Sequence, residues 1–235
     1  INLFNQGQLQ PALSLATEML ERFPDSVTLY NITGAANAGL MQYDAAVESF
    51  KQALRIKPDY ADAYNNMGVS LNDKGDVEAA LDSYKQALII KPDYFEAYCN
   101  MGIALKGKGD LEKAIDCYKQ ALQIKPDYAA AYNNMGIALQ GQGDLGSAID
   151  CYHQALKTDP DNAEVHNGMG NALQDKSDLD AAIDSYNKAL KIKPDYAEAY
   201  SNMGNALSKK NDFEAAIGAY MQALKIKPNY ADAYN

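Results

Sequence analysis

The sequence predicts an all-α solenoid, a stack of repeated antiparallel helix pairs. Three observations support this. Seven of the eight prolines and a set of six glycines recur every 34 residues. Two alanine series keep the same interval. Apolar residues within each unit follow the period of a helix. Phased recurrence at a period of 20–50 residues is typical of solenoids. The glycines are Gly34, Gly68, Gly102, Gly136, Gly170 and Gly204.

The chain divides into six full repeats when the units are counted from Val27. These are residues 27–60, 61–94, 95–128, 129–162, 163–196 and 197–230. Residues 1–26 match the tail of an earlier repeat, and residues 231–235 match the opening of a further one. We therefore expect the chain to be a piece of a longer array. Positions below are counted from the first residue of each repeat.

Each repeat contains two helical patterns, as repeat 61–94 illustrates. Tyr64, Met67, Gly68 and Leu71 are spaced i, i+3, i+4, i+7, which predicts a first helix with one apolar face. A second apolar stripe follows and ends before Pro92, a residue that cannot continue a helix. Its members are Val77, Ala80, Leu81, Tyr84, Ala87 and Leu88.

Capping residues separate the two helices. Asp59 is predicted to cap the first helix, with Asp62 in its first turn. Gly75 is expected to end that helix in a left-handed conformation, and Asp76 to cap the second. Short helix pairs leave apolar surface that only a neighbouring repeat can bury, so stacking is required. Small residues at positions 8, 20 and 27 set the helix spacing.

The pattern Tyr64, Met67-Gly68, Leu71, Ala80, Tyr84, Ala87, Pro92 resembles the tetratricopeptide repeat, with Tyr in place of the usual Trp. The sequence of residues 199–207 is most similar to the superhelical arm of O-linked N-acetylglucosamine transferases and related bacterial proteins. It reads Ala-Tyr-Ser-Asn-Met-Gly-Asn-Ala-Leu. This resemblance implies a right-handed superhelix, with first helices lining an inner surface that binds other proteins. Arms of this kind bind the backbone of a peptide ligand through asparagines that recur along the inner surface.

Recurring asparagines are the candidate binding residues. On a helical wheel, positions 2, 5, 6, 9, 12 and 13 lie opposite the apolar face of the first helix. Asn recurs there although it is a poor helix former, and its amide can pair with a peptide bond. The predicted peptide-binding residues are Asn65, Asn66, Asn100, Asn133, Asn134, Asn167, Asn171, Asn202 and Asn205; Asn31 shares position 5, and Ile32 and Gly168 interrupt position 6.

Two other readings of these asparagines stay open. The amides could bond to neighbouring helices or to the turn of the previous repeat, or they could reflect recent duplication. Acidic residues at position 2 suit the dipole of the first helix, although they could also favour basic ligands. Those acids are Asp62, Glu96, Glu164, Glu198 and Asp232.

Composition restricts the partners. The net charge is −10 and the pI is about 4.6, whereas nucleic-acid binding normally needs a basic face. No apolar run approaches the roughly 20 residues of a membrane span, so neither nucleic acid nor membrane is expected. Three cysteines, an odd number, favour a reducing compartment such as the cytoplasm.

No catalytic or metal-binding pattern is present in the sequence. His166 replaces the packing Tyr of position 4 and is expected in the core, and His153 is expected at the surface. Cys117 and Cys151 share one repeat position and are interpreted as small buried residues rather than metal ligands. We therefore expect no cofactor and no enzymatic activity from this stretch.

Three functions fit these features. The first is a scaffold whose concave groove binds an extended peptide or a partner helix. The second is the substrate-recruiting arm of a larger enzyme, with a glycosyltransferase- or sulfotransferase-like domain beyond Asn235. The third is end-to-end self-association through repeat ends that have no polar capping helix.

Overall fold

The computed structural model describes residue 3 and residues 6–229, which contain helices and turns but no strand. Thirteen helices are fully bounded within this part of the chain. They form two compact units, residues 1–124 and residues 125–235. The predicted all-α stack of helix pairs is confirmed within each unit. The predicted start of a further repeat at 231–235, with Asp232, lies outside the described residues.

The first unit contains seven of these helices, each packed on the next in sequence. The first helices of its full repeats are α2, α4 and α6, and they also contact one another in that order. The bounds are α1 Leu9–Arg22, α2 Val27–Gly39, α3 Tyr43–Ile56, α4 Ala61–Lys74, α5 Val77–Ile90, α6 Phe95–Gly107 and α7 Leu111–Ile124.

The second unit repeats this arrangement with six helices. Its first helices are α8, α10 and α12, with α8 against α10 and α10 against α12. The bounds are α8 Ala129–Gly141, α9 Leu145–Thr158, α10 Ala163–Asp175, α11 Leu179–Ile192, α12 Ala197–Lys209 and α13 Phe213–Ile226.

A glycine–aromatic contact closes each helix pair. An ideal Cβ at Gly102 would lie 2.5 Å from the ring of Tyr118, and one at Gly170 would lie 2.5 Å from the ring of Tyr186. Both tyrosine side chains are fully buried. Only a residue without a side chain lets the first helix approach the ring this closely, which confirms the predicted role of position 8.

Within each unit, a buried alanine joins one repeat to the next. Ala87, near the end of α5, packs with Ala61, Tyr94 and Ala97, and Ala97 belongs to the following first helix. The small side chain at position 27 therefore sets the distance between repeats, as predicted. Exposed ion pairs such as Lys74–Asp44 also join neighbouring repeats, but exposed pairs contribute little to stability.

The helix ends agree with the sequence in part. Gly75 has φ +92°, and the Asp76 carboxylate accepts a hydrogen bond from the Ala79 N–H at 3.3 Å. The predicted cap at Asp59 is wrong, because Tyr60 is the N-cap residue and makes no side-chain cap bond. The Tyr60 ring lies instead 5.3 Å from the Lys57 ammonium group. The Tyr60 ring therefore stacks against a cation, and its backbone carbonyl oxygen accepts a hydrogen bond from the Ala63 N–H at 3.1 Å.

Candidate functional site

Within each unit the first helices lie side by side and form a surface that we call the first-helix face of that unit. It consists of α2, α4 and α6 in the first unit and of α8, α10 and α12 in the second. The nine predicted asparagines all belong to these helices, which places them in the described part of the chain. Their contacts differ from one to the next and are taken in turn.

A connected chain of amides crosses the first-helix face of the first unit. The Asn100 side-chain N–H donates to the Asn65 carbonyl oxygen at 3.0 Å. Asn65 in turn donates to Asn66 at 3.4 Å, and Asn66 donates to Asn31 at 3.3 Å. Four amides on three consecutive first helices are thus linked in one direction. Such chains polarise each successive donor and acceptor.

The burial of two of these residues differs from the prediction. Asn65 is only 6% exposed and Asn167 only 3% exposed, although the helical wheel placed position 5 on the open side. The reason is that a first helix packs against its own second helix and also against the neighbouring first helices. Position 5 therefore lies in the seam between first helices, and position 6 lies at its half-buried edge.

An interhelical amide pair is also present in the second unit. The Asn202 N–H donates to the Asn167 oxygen at 3.1 Å, and the Asn167 N–H donates to Glu198 at 3.2 Å. A position-6 amide therefore bonds to a position-5 amide of the preceding repeat here, as in the first unit. Gly168 occupies position 6 in the intervening repeat and carries no amide.

Asn133 and Asn134 lie at the edge of an acidic pocket in the second unit. Both are half-buried, and the Asn134 amide donates to the Ala130 carbonyl oxygen at 3.0 Å. The same pocket is lined by Asp127, Asp159 and Glu164. Three carboxylates beside two carboxamides make this pocket suitable for a basic side chain.

The sequence prediction missed this pocket, although a signal was available. Position 31 is a lysine and position 34 a tyrosine in the other full repeats. The ammonium group lies over the ring in four of them, as Lys193 does over Tyr196 at 4.9 Å. In the repeat that ends at residue 162 these positions are Asp159 and Asn162, which bond to each other at 2.8 Å. The exchange removes a cation and an aromatic ring and adds a carboxylate.

Asn171 and Asn205 are engaged in a different way. Each accepts a hydrogen bond from a tyrosine of its own second helix, from buried Tyr186 at 2.8 Å and from half-buried Tyr220 at 2.7 Å. The sequence pattern predicts both asparagines as peptide-binding residues. Since their oxygens anchor the tyrosine hydroxyls, their recorded contacts are internal to the repeat.

Apolar side chains occupy position 9 in the other repeats. Ile103 is 36% exposed and Ile137 is 40% exposed, and Val69 is half-buried. The first-helix face of each unit therefore combines amides with accessible aliphatic surface. A peptide presents the same combination, with polar backbone groups and side chains that are in part apolar.

The residues with reactive side chains are placed as the sequence predicted. Cys117 and Cys151 are buried free thiols, and burial raises the pKa of each to about 11, so that they stay protonated. His166 is buried and His153 is exposed. Among the described residues, no group of three or more His, Cys, Asp or Glu could hold a metal ion. No helix there is both long enough and apolar enough to cross a bilayer.

Comparison with solved structures finds similar folds. The chain is similar to a chain of the Cut9–Hcn1 hetero-tetramer of APC/C, with TM-score 0.82 and 18% identity, covering 99% of this chain and 46% of that one. It thus spans about half of that relative. It is also similar to YrrB, which is described as a TPR protein with an unusual peptide-binding site. The TM-score is 0.64 at 23% identity, and the match covers 80% of this chain and 97% of YrrB. A third similar structure is PilF from Pseudomonas aeruginosa, with TM-score 0.77 and 18% identity. That match covers 88% of this chain and 95% of PilF.

Comparison with families identifies the repeat. The TPR repeat family matches residues 42–72, 68–109, 104–143, 141–177 and 170–211, and the tetratricopeptide repeat family matches residues 197–230. A search among curated proteins finds no match. The matched segments together cover residues 42–230, which is most of the sequence. The chain belongs to the tetratricopeptide repeat family.

Proposed function

We propose that this chain is a protein-interaction scaffold that binds an extended peptide segment on the first-helix face. The observation that carries the proposal is the chain of linked amides formed by Asn100, Asn65, Asn66 and Asn31. Asparagine is costly in a helix interior, and here it recurs at the half-buried edge of a seam. An asparagine at this edge can form hydrogen bonds both within the seam and with a ligand.

The number of hydrogen-bonding groups on each amide allows it to bond to a neighbouring helix and to a ligand together. An asparagine side chain offers two N–H donors and an oxygen with two lone pairs. Asn100 and Asn202 each use one N–H in the recorded interhelical bond. The second N–H of each half-buried amide points away from that bond by the planar geometry of the group. We propose that this second N–H donates to a carbonyl oxygen of a ligand backbone.

Charge indicates which peptides would bind. The chain carries a net charge of −10, and the pocket beside Asn133 and Asn134 adds three carboxylates to the second unit. A lysine or arginine of the ligand would be attracted there, at short range by the carboxylates and at long range by the net charge. We therefore propose a basic or neutral ligand whose apolar side chains contact Ile103 in the first unit or Ile137 in the second.

The likeness to YrrB adds support at the level of the fold, since that protein is described as having a peptide-binding site. It does not identify the ligand. The proposal therefore depends on the amides and the pocket of this chain, and the test has to address those residues.

Selection from a displayed library of random peptides, followed by affinity measurements on the selected peptides, tests the proposal. Replacing Asn66, Asn100 and Asn202 together by Ala should weaken binding at least tenfold, because each lost hydrogen bond is worth about 0.5–1.5 kcal/mol. The selected peptides should be enriched in Lys and Arg. Affinity should fall as salt rises.

Asn187→Ala is the matched control, since Asn187 is exposed on the second helix α11. It removes an amide from the chain without touching the first-helix face, and it should leave affinity unchanged. The melting temperature of each variant shows whether the helices remain folded. If the triple variant is folded and binds the peptides as tightly as the parent chain, the amides have only a structural role and the proposal is wrong.

A further inference from the structure

One repeat departs from the others at residues that meet in a single pocket. His166 occupies position 4 and Lys188 occupies position 26 of repeat 163–196. Both side chains line a pocket together with Lys191, Pro160 and Asp161. In the other full repeats position 4 is always tyrosine and position 26 always glutamine: Tyr30, Tyr64, Tyr98, Tyr132 and Tyr200, and Gln52, Gln86, Gln120, Gln154 and Gln222. The two departures have therefore created one basic pocket.

The imidazole of His166 has one satisfied and one unsatisfied nitrogen. Its Nε2 lies 3.0 Å from the Pro160 carbonyl oxygen. A carbonyl oxygen only accepts, so Nε2 carries the proton and donates. The side chain is 8% exposed, and its Nδ1 is buried with no hydrogen-bond partner among the described residues. A buried nitrogen left without a partner is costly, and here it belongs to a residue that lines an open pocket.

Two ammonium groups border the same pocket. Lys188 and Lys191 lie one turn apart on α11, and both are exposed. Neither forms an ion pair with any residue in the described part of the chain. The third charged group on the pocket is Asp161, whose carboxylate opposes an anion but also favours a protonated imidazole.

We propose that the pocket formed by His166, Lys188 and Lys191 binds a tetrahedral oxyanion of the phosphate class, and that His166 takes up a proton at Nδ1 when the anion binds. The proton comes from solvent. The imidazolium then donates from Nε2 to Pro160 and from Nδ1 to the anion, so the unsatisfied nitrogen is satisfied. His166, Lys188 and Lys191 then offer three donors at the pocket, which match the several oxygens of phosphate better than the two of a carboxylate.

The electrostatics of the unliganded pocket fit this assignment. Burial, reinforced by the neighbouring Lys188, lowers the pKa of His166 below its ordinary value. The imidazole is therefore neutral at pH 7 without a ligand. A bound dianion reverses the effect of the lysines and raises that pKa. Affinity for sulfate, a tetrahedral dianion that does not titrate in this range, should accordingly increase as pH falls from 7.5 towards 6.

Imidazole NMR of the whole chain during titration with inorganic phosphate tests the proposal. The pKa of His166 should rise as phosphate is added, whereas exposed His153, the only other histidine, should not respond. His166→Tyr and Lys188→Gln each restore the residue of the other repeats and should keep the fold. Each should weaken phosphate binding at least tenfold. Acetate should bind more weakly than phosphate.

Matched variants in repeat 129–162 complete the test. Lys157→Gln removes the lysine that corresponds to Lys191 and should leave phosphate binding unchanged, because Tyr132 and Gln154 stand there. The double change Tyr132→His and Gln154→Lys should create a second phosphate site. O-phosphoserine binding more tightly than inorganic phosphate would identify a phosphorylated side chain as the ligand, and the reverse order would identify the free ion. Equal responses of His166 and His153, or full binding by His166→Tyr, would overturn the proposal.

Discussion

Replacing Gly170 by Ala tests the close approach that closes each helix pair. The added Cβ would lie 2.5 Å from the Tyr186 ring, about 1 Å inside the favourable carbon–carbon separation. The ring cannot move aside easily, because it is fully buried and its hydroxyl is bound to Asn171 at 2.8 Å. Overpacking of this kind costs about 1–3 kcal/mol.

Gly218→Ala is the matched control for that change. Gly218 lies inside α13, and an ideal Cβ there meets nothing within 4 Å. Both substitutions gain about 1 kcal/mol of helix propensity, so the difference between the two variants isolates the packing cost. Urea unfolding followed by circular dichroism should show Gly218→Ala stabilised, and Gly170→Ala less stable than Gly218→Ala by about 1–3 kcal/mol. Equal free energies of unfolding would refute the proposed role of position 8.

Three further predictions concern a hydroxyl, a turn and a histidine. Ile103→Asn should supply the acceptor that the buried Tyr118 hydroxyl lacks, as Asn171 does for Tyr186, and should raise the free energy of unfolding by about 1 kcal/mol. Met41 has φ +60°, so Met41→Gly should relieve left-handed strain and raise the melting temperature, with a net gain of about 0.5–1 kcal/mol. Folding lowers the pKa of His166, so the unfolded chain binds the imidazole proton first as pH drops below about 6.5. The free energy of unfolding, measured by urea titration, should therefore decrease between pH 7 and 5. His166→Tyr should remove this part of the pH dependence.

The fold could be predicted because its determinants are local and repeated. Gly75 ends a helix at a positive φ, as its spacing indicated, and Gly102 faces an aromatic ring across one helix pair. The cap at Asp59 could not be read correctly, since the helix begins one residue later than an acidic cap would require. Phased repetition identified the elements, but it did not fix their first residues.

The candidate site could be predicted only in part, because its contacts join residues far apart in sequence. The wheel of a single helix shows one buried side, whereas Asn65 is buried by a neighbouring first helix. The bond from Tyr186 to Asn171 spans 15 residues and depends on how two helices pack. Departures from the repeat pattern, such as His166 and Asn162, line pockets that the wheel of a single helix did not indicate.

The central claim, that asparagines of the first helices contact a ligand, is tested most directly by NMR with a selected peptide that carries a spin label. Side-chain amide signals of Asn66, Asn100 and Asn202 should broaden when the peptide binds. The signal of Asn187, exposed on α11, should keep its width. Broadening of Asn187 with no change at the other three would contradict the account.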